Sequence, residues 1–256
     1  MKLISNLPGI ASTPVLRGPA AIILLAAGLL SAASAPVQAG VFSVTPVRIY
    51  MTPRDRAVAV TITNEGDTEV VLQADLNAWS QKPDGTDEQV PTEDLILSPP
   101  IIKLAPNARQ VVRLALLKPA DASRQLIYRM IMREVPEAVA QRDKSIQVPI
   151  ALALSMPVFI TPPPAKREIT CQAARGTGPA LNVTCTNSGS AYAQVREVLV
   201  KRGTQTLARF EGGTYILPGA RQVMSAKGEQ AIAPGAAQLA VSFDDGKSQT
   251  FEVTLP

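Results

Sequence analysis

From residue 41 onward, apolar positions fall in short segments separated by turn clusters. Strand-length segments are predicted over residues 41–51, 57–63, 69–79, 95–97 with 101–102, 110–117, 126–135 and 146–160. Turn sequences such as Asn64-Glu65-Gly66-Asp67 and Pro83-Asp84-Gly85 stand between some of them. Many short strands at this spacing predict a sandwich or barrel. Pro162-Pro163-Pro164-Ala165-Lys166 then excludes a continuing strand and predicts a stiff extended linker. Beyond it the pattern restarts over residues 168–173, 180–187, 192–201, 206–210, 215–216, 222–225, 238–243 and 249–255. Asp244-Asp245-Gly246-Lys247 predicts a hairpin between the last two. No segment carries apolar residues at helical period over a helix length. The chain is therefore expected to be all-β, with two tandem sandwiches over residues 40–161 and 167–256 joined by a linker at 162–166. Trp79, the sole tryptophan, ends an alternating strand and is assigned to a core.

The segment 146–160 differs from the rest. Its even positions are Ile146, Val148, Ile150, Leu152, Leu154, Met156, Val158 and Ile160, while the odd positions from Gln147 to Pro157 are small or polar. This period-2 pattern lasts about fifteen residues, against a usual strand of ~5–6. Pro149 and Pro157 share the odd register, so the side of the strand they face lacks two N–H donors. Proline in a strand points to a sheet edge. A long apolar edge is an association hazard unless it is used, and the corresponding use is addition of a partner strand. Whether each even residue faces a partner or its own core stays open.

Composition narrows the function classes. There is no histidine, which removes the usual neutral-pH base and the commonest metal ligand. No cofactor or metal is expected, and the chain is read as no enzyme. A net charge of +4 without a basic run gives no nucleic-acid footprint. The 22 prolines and an apolar content rich in Val, Ile and Leu favour strands.

Residues 1–39 read as a cleavable export signal. Lys2 and Arg17 precede the apolar run 20–30, and Val37-Gln38-Ala39 before Gly40 fits a small-x-small cleavage site. A run of about eleven residues is shorter than the ~20 needed to span a bilayer. Cys171 and Cys185 flank a loop with the turn Gly176-Thr177-Gly178-Pro179. In an oxidising compartment they are expected to form a structural disulfide, worth ~3 kcal/mol for a loop of this size. Their spacing is unlike the Cys-x-x-Cys of redox pairs.

An ordered set of short sequences resembles the PapD-like periplasmic chaperones of chaperone–usher pilus assembly. The set comprises Val44-Thr45-Pro46-Val47-Arg48, Ser98-Pro99-Pro100, Leu104-Ala105-Pro106-Asn107 with Val112-Arg113-Leu114, Arg133-Glu134-Val135-Pro136, and Pro157-Val158-Phe159. Trp79-Ser80-Gln81 and Pro157-Val158-Phe159 look most similar to the archaic, Csu-type branch. The resemblance implies two immunoglobulin-like sandwiches arranged as a boomerang, working in the periplasm without ATP. It implies pilus subunits and an outer-membrane usher as protein partners, with no nucleic-acid or small-molecule partner. A subunit lacking its final strand would be complemented by the donor strand carrying Val148, Ile150, Leu152, Leu154, Met156 and Val158. Arg48 matches the arginine, placed on the first strand, that anchors the subunit's C-terminal carboxylate; a guanidinium holds a carboxylate bidentately. The family's second anchor, a lysine, aligns with Pro157, so Arg129, Arg113 and Lys166 are the candidates to replace it. Self-association of the free chaperone would be one way to mask the edge.

Two other readings compete. An exported structural or adhesive immunoglobulin-like module would share the fold but have its edge strand paired. A glycosidase would need paired carboxylates, for which Asp244-Asp245 and Glu93-Asp94 are available, both at turn positions.

Overall fold

The computed structural model describes residues 42–136 and 151–256. The expected signal peptide, with its cleavage site, and the donor-strand residues Val148 and Ile150 lie outside the described residues.

The first body contains β1 (Phe42–Thr45), β2 (Ile49–Met51), β3 (Ala57–Asn64), β4 (Val70–Gln81), β5 (Asp87–Pro91), β6 (Leu95–Ser98), β7 (Ile101–Leu104), β8 (Arg109–Leu116), β9 (Leu126–Glu134) and β10 (Ala153–Ile160). One sheet has the order β1-β3-β8-β6, and the other β2-β10-β9-β4-β5 with β7 also on β4. Alternation places Val60, Ile62, Val112 and Leu114 of the first sheet against Leu72, Met130, Met132 and Val158 of the second, all fully buried. The second body contains β11 (Ile169–Arg175), β12 (Leu181–Asn187), β13 (Ala193–Arg202), β14 (Gln205–Ile216), β15 (Arg221–Ala226), β16 (Gly235–Phe243) and β17 (Ser248–Leu255). Its sheets have the orders β11-β12-β15 and β14-β13-β16-β17 and enclose a separate core running from Ile169 to Leu255. The described residues contain no helix.

A matching device closes one end of each core. Buried Asn64, at the end of β3, donates from Nδ2 to the carbonyls of Thr68, Leu104 and Ala105 and accepts from the N–H of Gly66. Buried Asn187, at the end of β12, donates to Ala191 and Ile216 and accepts from Glu168 and Gly189. Each amide satisfies backbone groups that the departing chain would otherwise leave unpaired.

Cys171 and Cys185 lie directly opposite each other on β11 and β12 and form a disulfide. The hairpin expected at Asp244–Lys247 joins β16 to β17, with Gly246 at φ 77°, where a side chain would be strained. Three strand expectations change. Of the segment expected over 41–51, residues 42–51 hold two strands, because the chain bends at Pro46–Arg48 and crosses from one sheet to the other. Arg48 therefore sits in that bend, one residue before β2. The strand β5 was not anticipated: all its residues are exposed, so no alternation marks it. Residues 206–210 and 215–216 belong to one continuous strand, β14.

Candidate functional site

β10 is held differently along its two halves. On one side it pairs antiparallel with β9 throughout, from Ala153 opposite Arg133 to Ile160 opposite Leu126. On the other side β2 runs parallel to it but covers only Val158, Phe159 and Ile160. The N–H of Glu134 bonds to the carbonyl of Leu152, and the N–H of Thr161 to the carbonyl of Met51. Main-chain groups of even residues thus face β9, and those of odd residues face β2 or, before it begins, open space. Among the described residues, Ala153 and Ser155 have no strand beside them on that side, and Pro157 has no N–H to offer there.

The even row divides at the same place. Met156, Val158 and Ile160 are buried in the first core, at 3%, 0% and 0% exposure. Met156 and Val158, expected in the donor row, thus present their side chains to their own domain. Leu154 is half-buried and Leu152 is 38% exposed, an aliphatic side chain left at the rim.

Pro157 organises a second feature. Its cross-strand neighbour on β9 is Arg129, and one step before the Val158–Ile49 pair brings Arg48 alongside it. Residues paired across strands share a face, so both guanidiniums emerge on the side of this sheet opposite the core. That face also carries Tyr50, Phe159 and Trp79, and it is covered by the second body. Tyr192 stacks on Phe159 at 3.9 Å between centroids, and Tyr215 meets Trp79 edge-on at 5.2 Å. Trp79, expected in a core, is buried, in the small cluster it forms at this junction with Phe159 and Leu217. Its Nε1 donates to Asp87. Gln81 donates to the carbonyl of Tyr215 and accepts from the N–H of Leu217, and Gln125 accepts from the N–H of Tyr192.

The two arginines differ in surroundings. Arg129 lies 3.7 Å above the Trp79 ring and 5.6 Å from that of Tyr215. Its Nε is buried with no hydrogen-bond partner among the described residues. Burial lowers its pKa, partly countered by Tyr215 and Asp87. Arg48 donates from Nη1 to Oδ2 of Asp244 at 3.2 Å. Burial works against its charge, but a hydrogen bond with Tyr50 and the fields of Tyr215, Tyr50 and Asp244 raise its pKa overall. The same Oδ2 accepts from the Tyr192 hydroxyl at 2.9 Å, which in turn lies 3.0 Å from that of Tyr50. Burial, then Tyr50 and Asp244, push the Tyr192 hydroxyl well above the ordinary phenol range. Burial also pushes up Tyr215, while Arg48 and Arg129 both pull the other way.

The other proposed cations fall elsewhere. Arg113 is on β8, opposite Ala59 and Ser98 in the other sheet, and exposed. Lys166 is on the linker, paired with Glu168. The acidic pairs do not act as pairs. Asp244 meets Arg48 while Asp245 meets Arg167, and Asp94 accepts from Tyr128 and bonds Lys118. Sequence reasoning missed Tyr50, Tyr192, Tyr215 and Asp244 as members of the site. Their partners are distant in the chain, and Asp244 had already been explained by its turn.

Residues 41–166 match the family model described as "Pili and flagellar-assembly chaperone, PapD N-terminal domain". Residues 41–166 thus form a domain of the PapD N-terminal type of pilus-assembly chaperones. The fold of the whole agrees. A chaperone–tip subunit complex of archaic Csu pili from Acinetobacter baumannii, CsuC–CsuE, matches at TM-score 0.59 and 18% identity, covering 84% of this chain and 99% of that one. The E. coli chaperone DraB matches at 0.57 and 16%, covering 86% and 98%. The SafB chaperone complex with the SafA pilin of Salmonella enterica matches at 0.55 and 15%, also covering 86% and 98%. These likenesses establish two immunoglobulin-like sandwiches. No curated protein matches the chain by sequence.

Proposed function

We propose that the chain is a periplasmic chaperone that stabilises pilus subunits by donor-strand complementation and hands them to an outer-membrane usher. The observation that carries this is β10: a strand fixed on both sides at its end but one-sided before Pro157, with Leu154 and Leu152 leading to an exposed apolar rim. A subunit missing one strand would complete its sheet on this edge, taking main-chain bonds from Ala153 and Ser155. Val148, Ile150, Leu152 and Leu154 would fill its groove. Arg48 would hold the subunit's C-terminal carboxylate, and Arg129, on the other flank of Pro157, would supply the second positive charge. Two relatives of the same fold are described in complex with a tip subunit and a pilin. The mature protein would begin at Gly40 after signal cleavage, with a chaperone domain over 40–161, a linker at 162–166 and a second domain over 167–256.

The test is purification of the C-terminally tagged chain from the periplasm of its own host with the neighbouring secreted genes expressed. A small single-sandwich protein at near one-to-one, lost in Arg48→Glu and Leu152→Asp, is the expected result. Wild type eluting alone would instead favour an exported structural module.

A further inference from the structure

Arg48, the proposed carboxylate anchor, already holds a carboxylate. Asp244, from the β16–β17 hairpin of the second body, reaches it with a single contact, Nη1 to Oδ2 at 3.2 Å. The next residue of the same hairpin shows what a complete pairing looks like: Asp245 takes both arms of Arg167, at 2.9 and 3.2 Å. A forked guanidinium–carboxylate pair is the stronger arrangement, so Arg48 has a better partner to gain. Its side chain is 28% exposed while that of Asp244 is 9% exposed, so solvent reaches the pair from the arginine side.

We propose that Asp244 is an internal carboxylate that occupies the Arg48 anchor in the free chaperone and is displaced by the subunit's C-terminal carboxylate. The inference rests on the carboxylate-capture reading above. Tyr192 makes the exchange feasible. Its hydroxyl bonds the same Oδ2 at 2.9 Å, so Asp244 keeps a donor after Arg48 turns away. Without that bond, displacement would leave a buried carboxylate uncompensated, which is strongly unfavourable. The hairpin keeps its own anchorage through the Asp244 N–H to the Gln194 carbonyl and through Asp245. Competition sets a threshold: an uncharged chain end gains too little from Arg48 to displace the aspartate and would bind through the strand alone.

The test uses the full mature chain and two synthetic peptides of alternating apolar and polar residues, one ending in a free carboxylate and one in an amide. Affinities are read by fluorescence anisotropy for wild type, Arg48→Ala, Asp244→Asn and Tyr192→Phe, with circular dichroism reporting the fold. Asp244→Asn should tighten the free-acid peptide by about tenfold, the scale of one hydrogen bond to a charged group, and leave the amide unchanged. Tyr192→Phe keeps the ring on Phe159 but removes the fallback donor, so it should weaken the free-acid peptide. Unchanged or weaker free-acid binding in a folded Asp244→Asn overturns the proposal, and so does unchanged binding in Tyr192→Phe. Equal wild-type affinity for acid and amide, or an Arg48→Ala chain that binds the acid as well as wild type, overturns carboxylate capture itself. Failure of wild type to bind either peptide overturns strand lending.

Discussion

Arg48 and Arg129 flank one proline, yet their environments differ. Arg48 stands in a hydrogen-bonded chain with Asp244, Tyr192 and Tyr50, whereas Arg129 is stacked on Trp79 with a buried Nε that has no partner among the described residues. A desolvated guanidinium with a free donor favours an arriving anion strongly, because burial has already removed its water. Arg129→Ala should lower subunit affinity by at least about tenfold, measured by titration of the purified subunit, and leave the melting temperature nearly unchanged. A loss of affinity matched by a large drop in melting temperature would assign Arg129 to structure alone. Neither role was readable from spacing. The sequence offered Arg129, Arg113 and Lys166 as candidates; the antiparallel register of β9 and β10 places only Arg129 of the three opposite Pro157.

At the scale of the strand, the alternation over 146–160 made the element's existence and edge character legible. It could not assign each even residue, because the same period-2 row serves a core and a partner equally well. The structure divides the row by how far β2 and the facing sheet extend. This predicts a contrast within one face. Met156→Ala, at 3% exposure, should cost about 2–5 kcal/mol of stability. Leu152→Asp, at the exposed rim, should change stability by less than about 0.5 kcal/mol, while abolishing subunit capture. Denaturant melts of the two variants check this, and comparable losses in both would contradict the division. The strand β5 marks the opposite limit of legibility: fully exposed on both faces, it carries no hydrophobic pattern to read.

Across the whole molecule, two separate cores are joined through aromatic stacking, amide bonds and the Arg48–Asp244 pair. Several carboxylates carry stabilising bonds away from the junction as well. The pKa values of Asp84 and Asp121 are lowered chiefly by backbone N–H groups, and that of Asp245 chiefly by Arg167. For Asp94, burial opposes ionisation but Lys118, Tyr128 and Thr92 lower the pKa overall. Since each folded value lies below the ordinary 3.8, their stabilisation is fully present above that pH and disappears as pH falls through the depressed values. Thermal melts should therefore be level through neutral pH and decline below pH 3.8. With no histidine in the chain, no step should appear between about pH 5 and 8. The break between the two sets of strands around Pro162–Pro164, by contrast, was legible from the prolines themselves, which act without distant partners.

Pro157 also fixes a length. A guest strand added along β10 would meet donors at Ala153 and Ser155, then a position with none, and just beyond it β2 already fills the seat. Travel in that direction would have a hard stop, so the guest's register would be counted from the proline outward. The count would determine which guest residue lies against Leu152 and where its chain end falls relative to the two arginines. The edge would then act as a ruler, accepting guest strands that place a chain terminus at the right distance and leaving slipped alignments without an anchored end.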